Sequence, residues 1–225
     1  MKKFALIVAG GSGKRMDNEI PKQFIEISGK PILMQTLIAF LNSDPDFNFI
    51  VVLPENQIQN WKLLCQKYSF DTKHSVVAGG PTRFHSVKNG LKKINGEGVV
   101  FIHDGVRPLV SAETIGNCYK TAVEKGNALP VIAPAESIRR IVNGTNKAVD
   151  RANYFLVQTP QTFKVSLIKK AFNQDYSPKF TDDASVLEYY GREIHLVEGN
   201  RENIKITYPE DLIFAQVFYS NYKNL

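Results

Sequence analysis

Apolar residues in this chain alternate between short unbroken runs and longer stretches in which they recur at helical spacing. Phe4-Ala5-Leu6-Ile7-Val8-Ala9, Phe49-Ile50-Val51-Val52-Leu53, Ser75-Val76-Val77-Ala78, Val99-Val100-Phe101-Ile102 and residues Ala128 to Ala133 are short enough to predict strands buried on both faces. Between them, Pro31 to Leu41, Gln57 to Tyr68, Thr82 to Ile94 and Ser111 to about Lys125 predict helices. Pro31 suits the first turn of its helix, and Ser111 stands three residues before Thr114 as a cap. Further on, helices are expected from Val165, up to Gly191, and over Asp211 to Tyr222, the last amphipathic. Ile194 to Val197 and Ile204 to Thr207 read as short strands. Strand and helix in regular alternation imply right-handed crossovers and an α/β fold: one doubly wound, mostly parallel sheet over residues 1–225. No internal repeat, low-complexity tract or interdomain linker interrupts it.

One segment breaks the rhythm. Ile138 to Val142 and Thr145 to Val149 are strand-like and flank Asn143-Gly144, a strong hairpin signal. A hairpin inserted in an α/β domain has little core to cover. Residues 137–151 are therefore expected to protrude, and an unpaired protruding hairpin invites a second chain. They predict a homodimerisation arm.

The bulk numbers narrow the classes. The 225 residues suit one large α/β domain, and 43% apolar content is ample for its core. No apolar stretch is long enough to span a bilayer. The first hydrophobic run is cut short by Gly10 to Arg15, unlike a secretory leader, so a cytoplasmic location is expected. The net charge of +6 admits nucleic acid or a small, strongly anionic ligand. The basic residues cluster beside glycine turns and form no arginine-rich tail, which favours the small anion. Cys65 and Cys118 lack metal-ligand spacing and read as buried free thiols. The four histidines also lack it, and His103 at a strand end reads as structural.

The chemistry starts where the first strand runs into Gly10-Gly11-Ser12-Gly13-Lys14-Arg15-Met16, followed by Pro21-Lys22-Gln23. Such a turn places bare amides at the strand's carboxyl end, and Lys14, Arg15 and Lys22 complete a polyphosphate cradle. Neither familiar loop fits. A P-loop needs Ser or Thr after Gly13-Lys14 and a glycine where Val8 stands; the dinucleotide fingerprint needs a glycine where Met16 stands.

These segments, taken in order, resemble the 2-C-methyl-D-erythritol 4-phosphate cytidylyltransferase family. The resemblance rests on Ala9 to Met16, Pro21-Lys22-Gln23, Gly79-Gly80 with Arg83 and Ser86, and His103-Asp104-Gly105-Val106-Arg107-Pro108. It continues through Val149-Asp150-Arg151, Gln158-Thr159-Pro160-Gln161, Thr181-Asp182-Asp183-Ala184-Ser185 and Asn203-Ile204-Lys205-Ile206-Thr207. It implies a Rossmann-like nucleotidyltransferase fold, a homodimer, a magnesium ion, and cytidylyl transfer from CTP to a sugar-alcohol phosphate with release of pyrophosphate. Arg15, Lys22, Arg151 and Lys205 match the family's catalytic cations. Gly10, Gly11, Gly13, Gly80 and Ser86 match its nucleotide-holding positions, with Arg83 either fixing the loop or approaching the nucleotide. Asp104 falls at the junction of ribose, metal and acceptor, and Gly105 follows it. Arg107, Ser137, Thr159 and Thr181 match polar neighbours of the acceptor. Ser137 and Arg151 flank the expected arm and so would serve the partner's site. Asp182-Asp183, just before a helical run, suit dipole stabilisation and carry no catalytic expectation.

The chain departs from the family pattern at Pro81, where an acidic residue is usual, at Gly105 in place of alanine, and at Ser137 in place of threonine. None removes a charge from the reacting centre. A ribitol-5-phosphate cytidylyltransferase shares the glycine loop and the His-Asp-x-x-Arg-Pro turn, but Asp150-Arg151 and Thr181 to Ser185 look more like the methylerythritol enzymes. A basic RNA-binding module is the alternative of another class; it would bind nucleic acid with steep salt dependence and release no pyrophosphate.

Overall fold

Successive side chains of a strand point to opposite faces, so an unbroken apolar strand needs cover on both. The computed structural model, which describes residues 1–10 and 20–222, supplies it. In chain order the strands are β1 (Lys3–Val8), β2 (Glu26–Ile27), β3 (Lys30–Pro31), β4 (Phe47–Leu53), β5 (His74–Ala78), β6 (Val99–Asp104), β7 (Asn127–Ile132), β8 (Arg139–Val142), β9 (Thr145–Ala148), β10 (Leu156–Val157), β11 (Gln161–Lys164) and β12 (Leu196–Glu198). The helices are α1 (Ile32–Ser43), α2 (Ile58–Lys67), α3 (Arg83–Leu91), α4 (Ala112–Lys125), α5 (Val165–Ala171), α6 (Asp183–Tyr189) and α7 (Pro209–Tyr222).

Eight strands form the main sheet in the order β10-β7-β11-β6-β1-β4-β5, with β12 beside β7. The run β6-β1-β4-β5 is parallel, as expected. Ala5 and Ile7 of β1 pack with Leu33, Leu37 and Phe40 of α1, Trp61 of α2 and Cys118 of α4. Phe4 and Leu6, one residue out of phase, pack with Phe84 and Val87 of α3, Ile168 of α5 and Leu187 of α6. One strand thus nucleates both layers of a doubly wound fold. No helix among the described residues is long and apolar enough to cross a membrane.

The structure departs from the sequence reading in five places. First, β11 runs antiparallel between β6 and β7, and β10 pairs antiparallel at the edge. Gln161 and Thr162 are polar yet buried, so this strand carries no apolar run to betray it. Second, Ile204 to Thr207 is irregular; Ile206 is fully buried and its N–H donates to the Val106 carbonyl at 3.0 Å, but no ladder forms. Third, the strand expected over Ile194 to Val197 is shifted to Leu196–Glu198. Fourth, α7 is not amphipathic: Ala215 is buried, but Ile213, Phe214 and Val217 are exposed. Fifth, Cys65 is only half-buried, while Cys118 is buried as expected.

The hairpin forms where Asn143-Gly144 placed it. Both turn residues have positive φ, 50° and 80°, and every residue of β8 and β9 is exposed.

Candidate active site

Strands β4 and β6 flank β1 on opposite sides, so the chain changes direction at β1 and leaves a crevice at the strands' carboxyl ends. A cavity of about 410 Å³ opens there. Ala9 and Gly10 after β1, Gly80 to Arg83 before and into α3, Asp104 at the end of β6, and Lys22, Gln23 and Lys205 line it. A larger hollow, about 830 Å³, lies at the opposite, amino ends near Lys2, Asn48 and His74. Size alone does not make a site. The larger hollow also holds lysines, Lys2, Lys73 and Lys93, and Asp46, but in the smaller one the cations Arg83 and Lys205 pair with the carboxylate of buried Asp104.

Ser86 joins the two glycine turns. It is buried; its Oγ accepts from Gly80 N–H at 3.0 Å and lies 3.0 Å from the Thr82 carbonyl oxygen. A Cβ on Gly10 would stand 3.4 Å from Ser86 Oγ, and one on Gly80 would overlap His85. The glycines permit this close approach. Thr82 caps α3 by accepting from His85 N–H.

Asp104 is the electrostatic centre. Its Oδ2 lies 3.2 Å from both Arg107 Nε and Lys205 Nζ, and its Oδ1 lies 3.7 Å from Arg83 Nε. Burial pushes the carboxyl up, but Arg83, Lys205 and Arg107 outweigh burial and hold it below the usual carboxylate range. Arg83 also pairs with buried Asp183 at 2.7 Å. Burial holds the Asp183 carboxyl above its ordinary value against the pull of Arg83. Arg83 is thus braced between two carboxylates, which joins the loop-fixing role to the cavity wall.

A second cavity of about 320 Å³ shares Arg83, Asp104 and Lys205 with the first. Its other walls include Arg107, Gln158, Thr159, Gln161, Thr181 and Asp182. Arg107 reaches on to the Asn203 carbonyl at 2.7 Å. Lys22 Nζ donates to the Ile206 carbonyl at 3.2 Å, which ties the 21–23 segment to the segment carrying Lys205.

The sequence-predicted residues therefore divide. Gly10, Lys22, Gly80, Arg83, Ser86, Asp104 and Lys205 meet in the first cavity, and Arg107, Thr159 and Thr181 border the second. Gly11, Gly13 and Arg15 lie outside the described residues. Gly105 lines neither cavity. Its N–H donates to Val8, its carbonyl accepts from Thr36, and a Cβ would crowd Ala9 at 2.8 Å and Leu33 at 3.0 Å. Its backbone is held by these bonds and packed against Ala9 and Leu33. Ser137 and Arg151 are exposed on and beside the arm and line neither cavity; Arg151 Nη1 donates to the Ala135 carbonyl.

Sequence reasoning passed over Gln23 and Gln161. Buried Gln23 donates to the Ala9 carbonyl at 3.3 Å. Gln161 donates to Asp182 at 2.9 Å and accepts from Ala184 N–H at 2.8 Å. A glutamine carries no charge to draw the eye; its place beside Lys22 or Pro160 was the available signal. Asp182 caps α6 in a capping box with Ser185, the N-terminal role expected of it.

Among the described residues no group of three or more His, Cys, Asp and Glu side chains gathers to hold a metal. Magnesium does not require one, because it keeps waters and takes one or two carboxylates plus substrate phosphates. Asp104 fits as that single carboxylate. Its Oδ1 has the looser cationic partner, at 3.7 Å, and it stands on the wall shared by both cavities.

Comparison with known proteins follows the same outline. Residues 4–221 match the family model for 2-C-methyl-D-erythritol 4-phosphate cytidylyltransferase, IspD. Proteins of that description from Bacteroides fragilis and Phocaeicola vulgatus are 54% and 52% identical to the chain, over 96% of its length and 98% and 99% of theirs. Among solved structures, 4-diphosphocytidyl-2C-methyl-D-erythritol synthase from Anaerococcus prevotii superposes with a TM-score of 0.82 at 28% identity, covering 97% of this chain and 96% of that one. The cytidylyltransferase from Francisella tularensis gives 0.77 at 32% identity, covering 99% and 100%.

Proposed function

The chain belongs to the 2-C-methyl-D-erythritol 4-phosphate cytidylyltransferase family, and on that premise we propose how its residues divide the work. It transfers a cytidylyl group from CTP to 2-C-methyl-D-erythritol 4-phosphate and releases pyrophosphate, a step of isoprenoid precursor synthesis. The high-identity relatives favour this acceptor over ribitol 5-phosphate.

A phosphate oxygen of the acceptor attacks the α-phosphorus of CTP. The new P–O bond forms as the bond to the pyrophosphate bridging oxygen breaks, in line and opposite. The attacking phosphate is already ionised, so no general base is needed. The barrier is the approach of two anions and the charge on the crowded transition state, which fixed cations and positioning lower.

Lys22 is assigned to the α-phosphate and Arg15 to the β- and γ-groups. Gly10, Gly11, Gly13, Gly80 and Ser86 hold the cytosine and ribose. Arg83 stands between the two substrates. Arg107, Lys205, Thr159 and Thr181 receive the acceptor. A magnesium ion, held by Asp104 and phosphate oxygens, would supply further charge neutralisation. Ser137 and Arg151 complete the site of a second copy reached through the 137–151 arm.

The carrying observation is that Arg83, Asp104 and Lys205 belong to both cavities at once. A shared cationic wall is what joining two phosphates requires. Pyrophosphate release with CTP, magnesium and acceptor tests the assignment. Lys22→Ala should lower kcat by about 10²–10³ with the fold intact, the usual effect of removing one transition-state donor. Full activity in that variant removes Lys22 from the mechanism.

A further inference from the structure

His103 lines neither cavity and is fully buried, yet its ring is bonded on both sides. Its Nε2 lies 2.9 Å from the Arg107 carbonyl oxygen, which only accepts, so Nε2 carries the hydrogen. Its Nδ1 lies 3.0 Å from Thr159 Oγ1. That hydroxyl also accepts from Asp104 N–H at 3.1 Å, so its one hydrogen is available for the ring. Arg107 Nη1 then donates to the Asn203 carbonyl at 2.7 Å, and Asn203 Nδ2 donates to the Thr159 carbonyl at 2.8 Å. The chain of contacts closes on itself through His103, Arg107, Asn203 and Thr159.

We propose that His103, with Nε2 held by the Arg107 carbonyl and Nδ1 by the Thr159 hydroxyl, is a positioning residue. It closes this ring of hydrogen bonds and so fixes Asp104, Arg107 and the segment carrying Lys205 around the acceptor phosphate. The ring joins three parts of the chain that are remote in sequence: the end of β6, the loop before β11, and the irregular 203–207 stretch. That stretch lacks a strand ladder, so individual bonds at Asn203 and Ile206, with the Lys205–Asp104 ion pair, register it against the 104–107 turn. Phe40 packs edge-on against the imidazole at 5.0 Å and closes off its apolar side. Thr159 then acts with its hydroxyl turned to the protein.

The proposal rests on the acceptor role given above to Arg107 and Lys205. Failure of that role would show separately, as an unchanged acceptor KM in Arg107→Ala and Lys205→Ala. The direct test is His103→Phe, which keeps a ring and removes both bonds. In the folded variant kcat should fall about tenfold and the acceptor KM should rise about tenfold, while CTP binding measured without acceptor shifts less than about threefold. His103→Asn, which can still offer an acceptor to Thr159, should recover part of the loss, and Thr159→Val should reproduce it. A folded His103→Phe with kcat and acceptor KM within about twofold of the wild type overturns the proposal. If that variant does not fold, nitrogen NMR of the wild-type ring decides: the Nε2–H tautomer at neutral pH is expected, and an Nδ1–H ring overturns it.

Discussion

His103 and Asp104, neighbours at the end of β6, respond to acid in the same direction for opposite reasons. Burial holds the imidazole neutral and lowers its pKa from 6.5 to about 4. The unfolded chain binds the proton first, so this contribution is fully present above pH 6.5 and is lost as pH falls toward 4. The loss is on the order of 3 kcal/mol. Asp104 is held below the carboxylate range by Arg83, Lys205 and Arg107 against the opposing effect of burial. Its contribution is present above the unfolded pKa of about 3.9 and drains away as pH falls further. Urea midpoints of the wild type should therefore drop between pH 6.5 and 4 and drop again below that window. His103→Phe should flatten the first drop and leave the second. A wild-type midpoint that is level from pH 6.5 to 4 would contradict the buried neutral ring. At this scale the sequence showed charges well and geometry poorly. Lys22, Asp104 and Lys205 could be picked out by charge and motif, whereas the packing around Gly105 and the hydroxyl bonds that Thr159 makes to His103 and Asp104 could not, because close approach and hydrogen bonding, not residue type, decide them.

Gly90, the next-to-last residue of α3, sets two effects against each other. Helix propensity alone would favour alanine there by at most about 1 kcal/mol. A Cβ at that position would overlap Leu6 Cδ1 and stand 3.1 Å from Val52 Cγ2, and both residues are fully buried. Overpacking a filled core costs about 1–3 kcal/mol, so packing should win. Gly90→Ala is expected to lower the thermal midpoint; a raised midpoint would mean that α3 can lift from the sheet without cost. The same rule explains which elements could be read from sequence. The strands β1, β4 and β6 carry unbroken apolar runs of four or five residues because both faces are covered there, and those runs were plain. The antiparallel β11 buries Gln161 and Thr162, whose polar groups are satisfied by Asp182, Ala184 and Pro160, so no hydrophobic period marked it. The segment around Ile206 mimicked a strand because it has alternating apolar residues, yet only burial, not pairing, required them. The hairpin was legible for a local reason: Asn143-Gly144 dictates its own turn.

At the scale of the whole molecule, the arm and the segment after it hold apolar side chains away from the core. Ile141 and Val142 on the arm, and Tyr154, Phe155, Leu156 and Val157 after it, are large, apolar and exposed, although the last two pair with β7 as β10. An isolated two-stranded hairpin is at best marginally stable in water, so a second surface is needed to hold β8 and β9 in place. Ser137 and Arg151 stand at the base of that arm and line neither cavity of their own chain. If the arm of one copy completes the site of another in a two-fold dimer, two different inactive chains can repair each other. Lys22→Ala damages the cavity and leaves the arm intact; Arg151→Ala does the reverse. After the two are mixed and allowed to exchange, half the dimers are mixed, and each of these has one site with both residues native. Activity should then return to about a quarter of the wild type under random pairing. Neither variant alone should show it, and Ile141→Asp introduced into both should abolish the recovery by weakening the exchange interface. Mixtures that stay as inactive as their parents, although sedimentation shows that mixed dimers have formed, would place Arg151 in its own chain's site; an active Arg151→Ala parent would place it outside catalysis.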